Sequence, residues 1–103
     1  MRLVSRLHIT EFGRPERIVE LIGITTIGRD DDNDLVLAEA SISRCHALLL
    51  AGQGDSTLID LDSTDGTFVN GVQAPPDEAV RLVDGDVITL GRVIVRYDAA
   101  PVI

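Results

Sequence analysis

Two loop-like stretches carry side chains suited to holding an anion. The first joins Gly28-Arg29 to Ser43-Arg44-Cys45-His46, and the second is Ser63-Thr64-Asp65-Gly66-Thr67-Phe68-Val69-Asn70-Gly71. Between strand-like segments they supply two guanidiniums, two or three hydroxyls and several backbone amides. Arginine stays charged and offers planar, paired donors. A serine hydroxyl and loop amides add short hydrogen bonds around an oxyanion. This set grips a phosphate; it is not built to break a bond.

The elements that must position these groups read as strands. Apolar residues come in short, often β-branched runs separated by Gly, Pro, Asp and Asn. Expected strands are Leu3 to Thr10, Arg17 to Ile22, Thr25 to Gly28, Leu35 to Leu37, Ala47 to Ala51, Ser56 to Leu61, Thr67 to Val69, Val72-Gln73, Val80 to Leu82, Val87 to Leu90 and Val93 to Tyr97. Leu3, Leu7 and Ile9 suit one face of the first. Ala47 to Ala51 alternates little, as in a strand covered on both faces. Gly52-Gln53-Gly54-Asp55, Asp84-Gly85 and Gly91-Arg92 read as connecting turns, Phe12-Gly13-Arg14-Pro15 as another, and Asn70-Gly71 as a type I′ pair. Pro75-Pro76 breaks the run. No segment reads as a helix. About eleven short strands at this spacing predict an all-β sandwich or barrel. Residues 1–98 read as one domain, and Ala99 to Ile103 as a loose tail.

Composition narrows the partners. A chain of 103 residues holds one modest core. Its formal net charge of -8 argues against nucleic acid and against an anionic membrane surface. A local cationic pocket remains compatible with that charge. Cys45 is the single cysteine, so an internal disulfide is impossible and a reducing cytoplasm is expected. No apolar run reaches the ~18 residues of a membrane span, and the N-terminus shows no signal-peptide pattern.

In order, the motifs are Ile27-Gly28-Arg29, Asn33-Asp34-Leu35-Val36-Leu37, Ser43-Arg44-Cys45-His46, Ser63 to Gly71, and Leu82-Val83-Asp84-Gly85-Asp86-Val87-Ile88-Thr89-Leu90-Gly91. From about Thr25 to Gly91 this string resembles the forkhead-associated (FHA) domain, a phosphothreonine-peptide reader. The resemblance implies a β-sandwich of two antiparallel sheets, of the SMAD/FHA-like kind, with recognition loops at one end. It implies that Arg29 and Ser43 contact the phosphate, that Arg44 contacts the phosphate or the peptide, and that Thr64 adds a hydroxyl or backbone contact. Gly28, His46, Gly66 and Asn70 become structural supports: His46 ties the loops together, Gly28 permits close approach, and Gly66 takes a conformation cheap only for glycine. The implied partner is a phosphothreonine-containing protein in a Ser/Thr kinase pathway, with no cofactor and no metal.

One position departs from the family. Asp65 stands where the family asparagine binds the ligand's peptide backbone. A carboxylate offers acceptors only, so it receives a ligand N–H and repels a ligand C=O. It also sets a negative charge near the phosphate. For a charge product of about two at ~8 Å, that repulsion is on the order of 1 kcal/mol at the dielectric of water. Asp-Gly and Asn-Gly make the same turn, so the fold is expected to survive. The alternative function is therefore a degenerate module that binds a protein partner independently of phosphate.

Other patterns carry less. The acidic run Asp30 to Asp34 lacks an EF-hand spacing: Leu35 stands at the turn-glycine position and Ser41 at that of the bidentate Glu. Asp60-Leu61-Asp62-Ser63-Thr64 fails likewise at Asp65 and Gly71. Asp34 is a candidate for bonding backbone in its own turn. Ser43, His46 and an aspartate suggest a hydrolase triad, but no nucleophile elbow is present, and enzymatic activity is not expected. Strand alternation predicts a buried, inert Cys45, and His8 reads as a surface strand residue.

Overall fold

The computed structural model describes residues 2–52 and 55–102, and every described element is a strand. They run β1 (Arg2–Thr10), β2 (Arg17–Leu21), β3 (Gly23–Gly28), β4 (Leu35–Val36), β5 (Ala47–Ala51), β6 (Ser56–Asp60), β7 (Thr67–Val69), β8 (Val72–Gln73), β9 (Ala79–Leu82), β10 (Val87–Leu90) and β11 (Val93–Val102). One sheet has the order β2-β1-β11-β10-β7-β8, the other β4-β3-β5-β6-β9. All pairings are antiparallel except β3 with β4, where Ile27 lies beside Leu35. The expected all-β sandwich is therefore the observed architecture.

Alternation creates the core. Leu7 and Ile9 of β1, Ile88 and Leu90 of β10, and Val95 and Tyr97 of β11 turn inward from one sheet. Ile27, Ala47, Leu49, Leu58 and Leu82 meet them from the other. With few aromatics available, this filling is almost wholly aliphatic. The Tyr97 hydroxyl crosses the layer: it bonds the Ser56 hydroxyl at 2.7 Å and that of Ser5 at 2.9 Å. Buried hydroxyls are thus satisfied by one another.

Four expectations need correction. Ala99 to Val102 are strand, not a loose tail, because Arg2 to Ser5 provide a partner edge. Pro101 is accommodated because β10 ends its pairing at Arg96, so the other edge of β11 needs no donor there. Strand β5 alternates after all: Ala47 and Leu49 are buried while Leu48 and Leu50 are half-covered. Cys45 is exposed, because residues 43–46 form a loop to which strand alternation does not apply. His8 is largely covered on the outer sheet face, where Asp98 and Glu16 flank its ring.

The turns behave as their residues dictate. Asn70 and Gly71 both take positive φ, 50° and 81°, as a type I′ turn requires. Of the proposed hairpin connection, Gln53 and Gly54 lie outside the described residues. Its flanks close through the Gly52 amide, which donates to the Asp55 carbonyl at 2.7 Å.

Candidate functional site

The ladder determines which loops meet. Ile27 at the end of β3 pairs with Ala47 at the start of β5, and Ala47 pairs with Asp60 at the end of β6. The loops following β3, preceding β5 and following β6 therefore converge at one end of the sandwich. The β10–β11 turn arrives there too: the Gly91 amide donates to the Gly66 carbonyl and the Arg92 amide to the Ser41 hydroxyl.

At this end lies a shallow cup of about 160 Å³, lined by Arg29, Ala40, Ser41, Ile42, Ser43, Thr64 and Asp65. The Arg29 amide donates to the Ser43 carbonyl, and its Nε donates to the Ile42 carbonyl at 3.0 Å. That anchors the guanidinium by one edge and leaves its two terminal nitrogens for a ligand. Among the described residues neither Arg29 nor Arg44 forms an ion pair with a carboxylate. The Ser43 hydroxyl accepts the Thr64 amide at 3.0 Å. Its own proton is thus free to be donated. The Thr64 amide is occupied, so its hydroxyl is the donor left for a ligand.

Arg44 is placed differently. It is exposed and does not line the cup. Its carbonyl is the fixed part, taking the Asn33 side-chain amide at 2.7 Å and the Asp30 backbone amide at 3.3 Å. Gly28 packs directly against that carbonyl, which would lie 2.1 Å from an added Cβ. Asp34 reaches across to the Thr26 amide of β3, not into its own turn.

His46 is fully buried and joins the two recognition loops. Its Nδ1 accepts the Ser43 amide at 3.0 Å, so Nε2 carries the proton and donates to the Gly66 carbonyl, also at 3.0 Å. Gly66 holds its carbonyl there with φ +86°. Both ring nitrogens are committed to backbone. The imidazole has no edge left to deprotonate Ser43, which removes the base a hydrolase triad needs. Asn70 stands at the far side of the second stretch: its side chain accepts the Val87 amide and donates to Asp86, both at 2.9 Å.

Sequence reasoning missed several contributors. Asp60, 2% exposed, braces the second loop by accepting the Ser63 amide, the Ser63 hydroxyl and, at 2.7 Å, the Thr67 hydroxyl. A Ser three residues after a strand-terminal Asp was the available signal. Ser41 and Ile42 line the cup with nothing in their types to mark them. The Ser41 hydroxyl and amide bond the Glu39 carboxylate and hold that carboxyl below its ordinary range. No group of residues able to hold a metal occurs among the described residues.

The FHA-domain family profile matches residues 25–91, the span already marked by the motifs, and the chain belongs to the FHA family. The family includes phosphothreonine-dependent interaction modules. Among curated relatives, the ABC transporter ATP-binding/permease protein Rv1747 of Mycobacterium tuberculosis is 42% identical over 82 residues. That alignment covers 78% of this chain and 9% of the relative. The glycogen accumulation regulator GarA of the same organism is 36% identical over 69 residues, 67% of this chain and 41% of GarA. The chain thus spans under half of either protein. A solved FHA domain, characterised for phosphothreonine-dependent interactions, superposes with a TM-score of 0.85 at 30% identity, covering 96% of this chain and 99% of that domain. No helix among the described residues is long and apolar enough to cross a membrane.

Proposed function

We propose that this chain recognises phosphothreonine-containing proteins in a Ser/Thr kinase pathway, in the cytoplasm and without catalysing a reaction. The observation that supports this reading is the cup lined together by Arg29, Ser43 and Thr64, in which Arg29 pairs with no carboxylate among the described residues. A phosphothreonine brings about -1.5 to -2 charge and three acceptor oxygens at neutral pH. Arg29 supplies paired charged donors, and the two hydroxyls supply single ones. Threonine over serine follows from family membership.

The test is an oriented phosphothreonine peptide library, screened beside its unphosphorylated counterpart, with calorimetric titration of the selected peptides. Saturable binding of phosphorylated members alone is expected. A second reading, a phosphate-independent partner bound on the sandwich face, draws on the negative charge that Asp65 adds to the cup. Equal binding of phosphorylated and unphosphorylated ligand, lost only on changing apolar sheet residues, would establish that reading and overturn the first.

A further inference from the structure

The cup sets one cation, Arg29, beside one carboxylate, Asp65. Asp65 lines it together with Arg29, Ser43 and Thr64. Its side chain is exposed, and it pairs with no cation among the described residues. Asp30, Asp31 and Asp32 stand exposed directly after Arg29, and Asp62 is exposed three residues before Asp65. Asp34, at the end of the first run, is already engaged with Thr26. The chain as a whole carries -8.

A carboxylate lining the cup has two effects on an incoming phosphopeptide. It repels the phosphate, which Arg29 offsets. It attracts a cation placed next to the phosphate on the ligand chain. An extended peptide advances about 3.3 Å per residue. Only the residues flanking the phosphothreonine therefore lie beside a side chain that shares so small a cup. A ligand with Lys or Arg there supplies the counterion that Asp65 lacks. A ligand with Glu or Asp there meets the Asp65 carboxylate with like charge.

We infer that Asp65 is a specificity-determining residue that selects phosphothreonine ligands bearing a Lys or Arg within two residues of the phosphorylated position. The inference rests on the phosphothreonine reading given above and narrows its ligand class to basic-flanked sites. Selection comes from both signs of the interaction: attraction for the basic flank and repulsion of the acidic one. One exposed ion pair gives a preference of up to about fivefold at ordinary salt, and the preference shrinks as salt is raised.

The experiment uses three fluorescent phosphothreonine peptides on one neutral scaffold, differing only in a flanking Lys, Ala or Glu, each with an unphosphorylated control. Anisotropy titrations compare the unmodified chain with Asp65→Asn and Asp65→Lys, after thermal melts establish that both variants are folded. The expected order for the unmodified chain is Lys over Ala over Glu, with Lys favoured over Ala by about three- to fivefold. Asp65→Asn brings the Lys-to-Ala ratio close to one and tightens the Ala peptide. Asp65→Lys reverses the order. A ratio near one in the unmodified chain, or a ratio that Asp65→Asn leaves unchanged, overturns the inference. If phosphate-dependent binding persists and is lost on Arg29→Ala while the flank has no effect, the inference alone fails. If phosphorylation itself has no effect on any peptide, the functional reading fails and the inference with it.

Discussion

Replacing His46 by alanine separates the two recognition loops at their joint. The imidazole accepts the Ser43 amide and donates to the Gly66 carbonyl, each at 3.0 Å, and it is fully buried. Each bond contributes about 1 kcal/mol net. The vacated ring volume adds on the order of 1 kcal/mol, since the surrounding strands collapse only in part. The Gly66 carbonyl keeps the Gly91 amide as a partner, which limits the loss on that side. The total is a destabilisation of about 3 kcal/mol. With a urea dependence near 2 kcal/mol per molar, the unfolding midpoint falls by roughly 1.5 M. His46→Asn is the informative companion. Its side-chain oxygen occupies the place of Nδ1 and recovers the Ser43 bond without reaching Gly66, so it should regain about a third of the loss. Urea unfolding followed by circular dichroism, together with phosphopeptide titration of each folded variant, reads both effects. A midpoint shift for His46→Ala equivalent to less than about 0.5 kcal/mol, the range of ordinary surface changes, would refute the reasoning.

Two further outcomes follow from other joints. At Gly28, an added Cβ would sit 2.1 Å from the Arg44 carbonyl and 2.6 Å from the Asn33 amide, so Gly28→Ala forces the backbone apart. Expected are a loss of about 1–3 kcal/mol, typical of overpacking, and weaker ligand binding; a thermal melt unchanged from the original chain would count against it. At Asp98, burial alone would raise the carboxyl, but hydrogen bonds from His8 and Arg6 outweigh it and hold the group below its ordinary value. A depressed folded value means the stabilisation is complete above the unfolded value of about 4 and is lost as pH falls through the folded one. Asp98→Asn should therefore lower stability at neutral pH and flatten its decline on acidification, measured as urea midpoints across the acid range; an undiminished acid decline would contradict the assignment.

The strands were legible because they obey simple chemistry. Period-two alternation, β-branched runs and Gly- or Asn-containing turns place nearly every element within a residue or two, and Asn70-Gly71 takes both positive φ values its type demands. What escaped depends on partners distant in sequence. Ala-Ala-Pro-Val after Asp98 has weak strand character of its own and becomes strand because Arg2 to Ser5 lie alongside. Cys45 is exposed because strand alternation does not extend into its loop. The candidate site divides the same way. Arg29, Ser43, Thr64 and Asp65 are marked by motif and converge in one cup, whereas Arg44, equally marked, stands outside it. The bracing by Asp60 and the lining by Ser41 and Ile42 come from loops meeting in space. No local pattern announces them.

The central claim is that Arg29 reads a phosphate. A two-by-two comparison tests it most directly: one phosphothreonine peptide and its dephosphorylated form, titrated by calorimetry against the unmodified chain and Arg29→Ala. Dephosphorylation is expected to abolish binding to the unmodified chain, and Arg29→Ala to weaken the phosphorylated ligand by about 1.5–3 kcal/mol, the size of a charge-assisted hydrogen bond. Binding of the phosphorylated peptide to Arg29→Ala with unchanged affinity would contradict it.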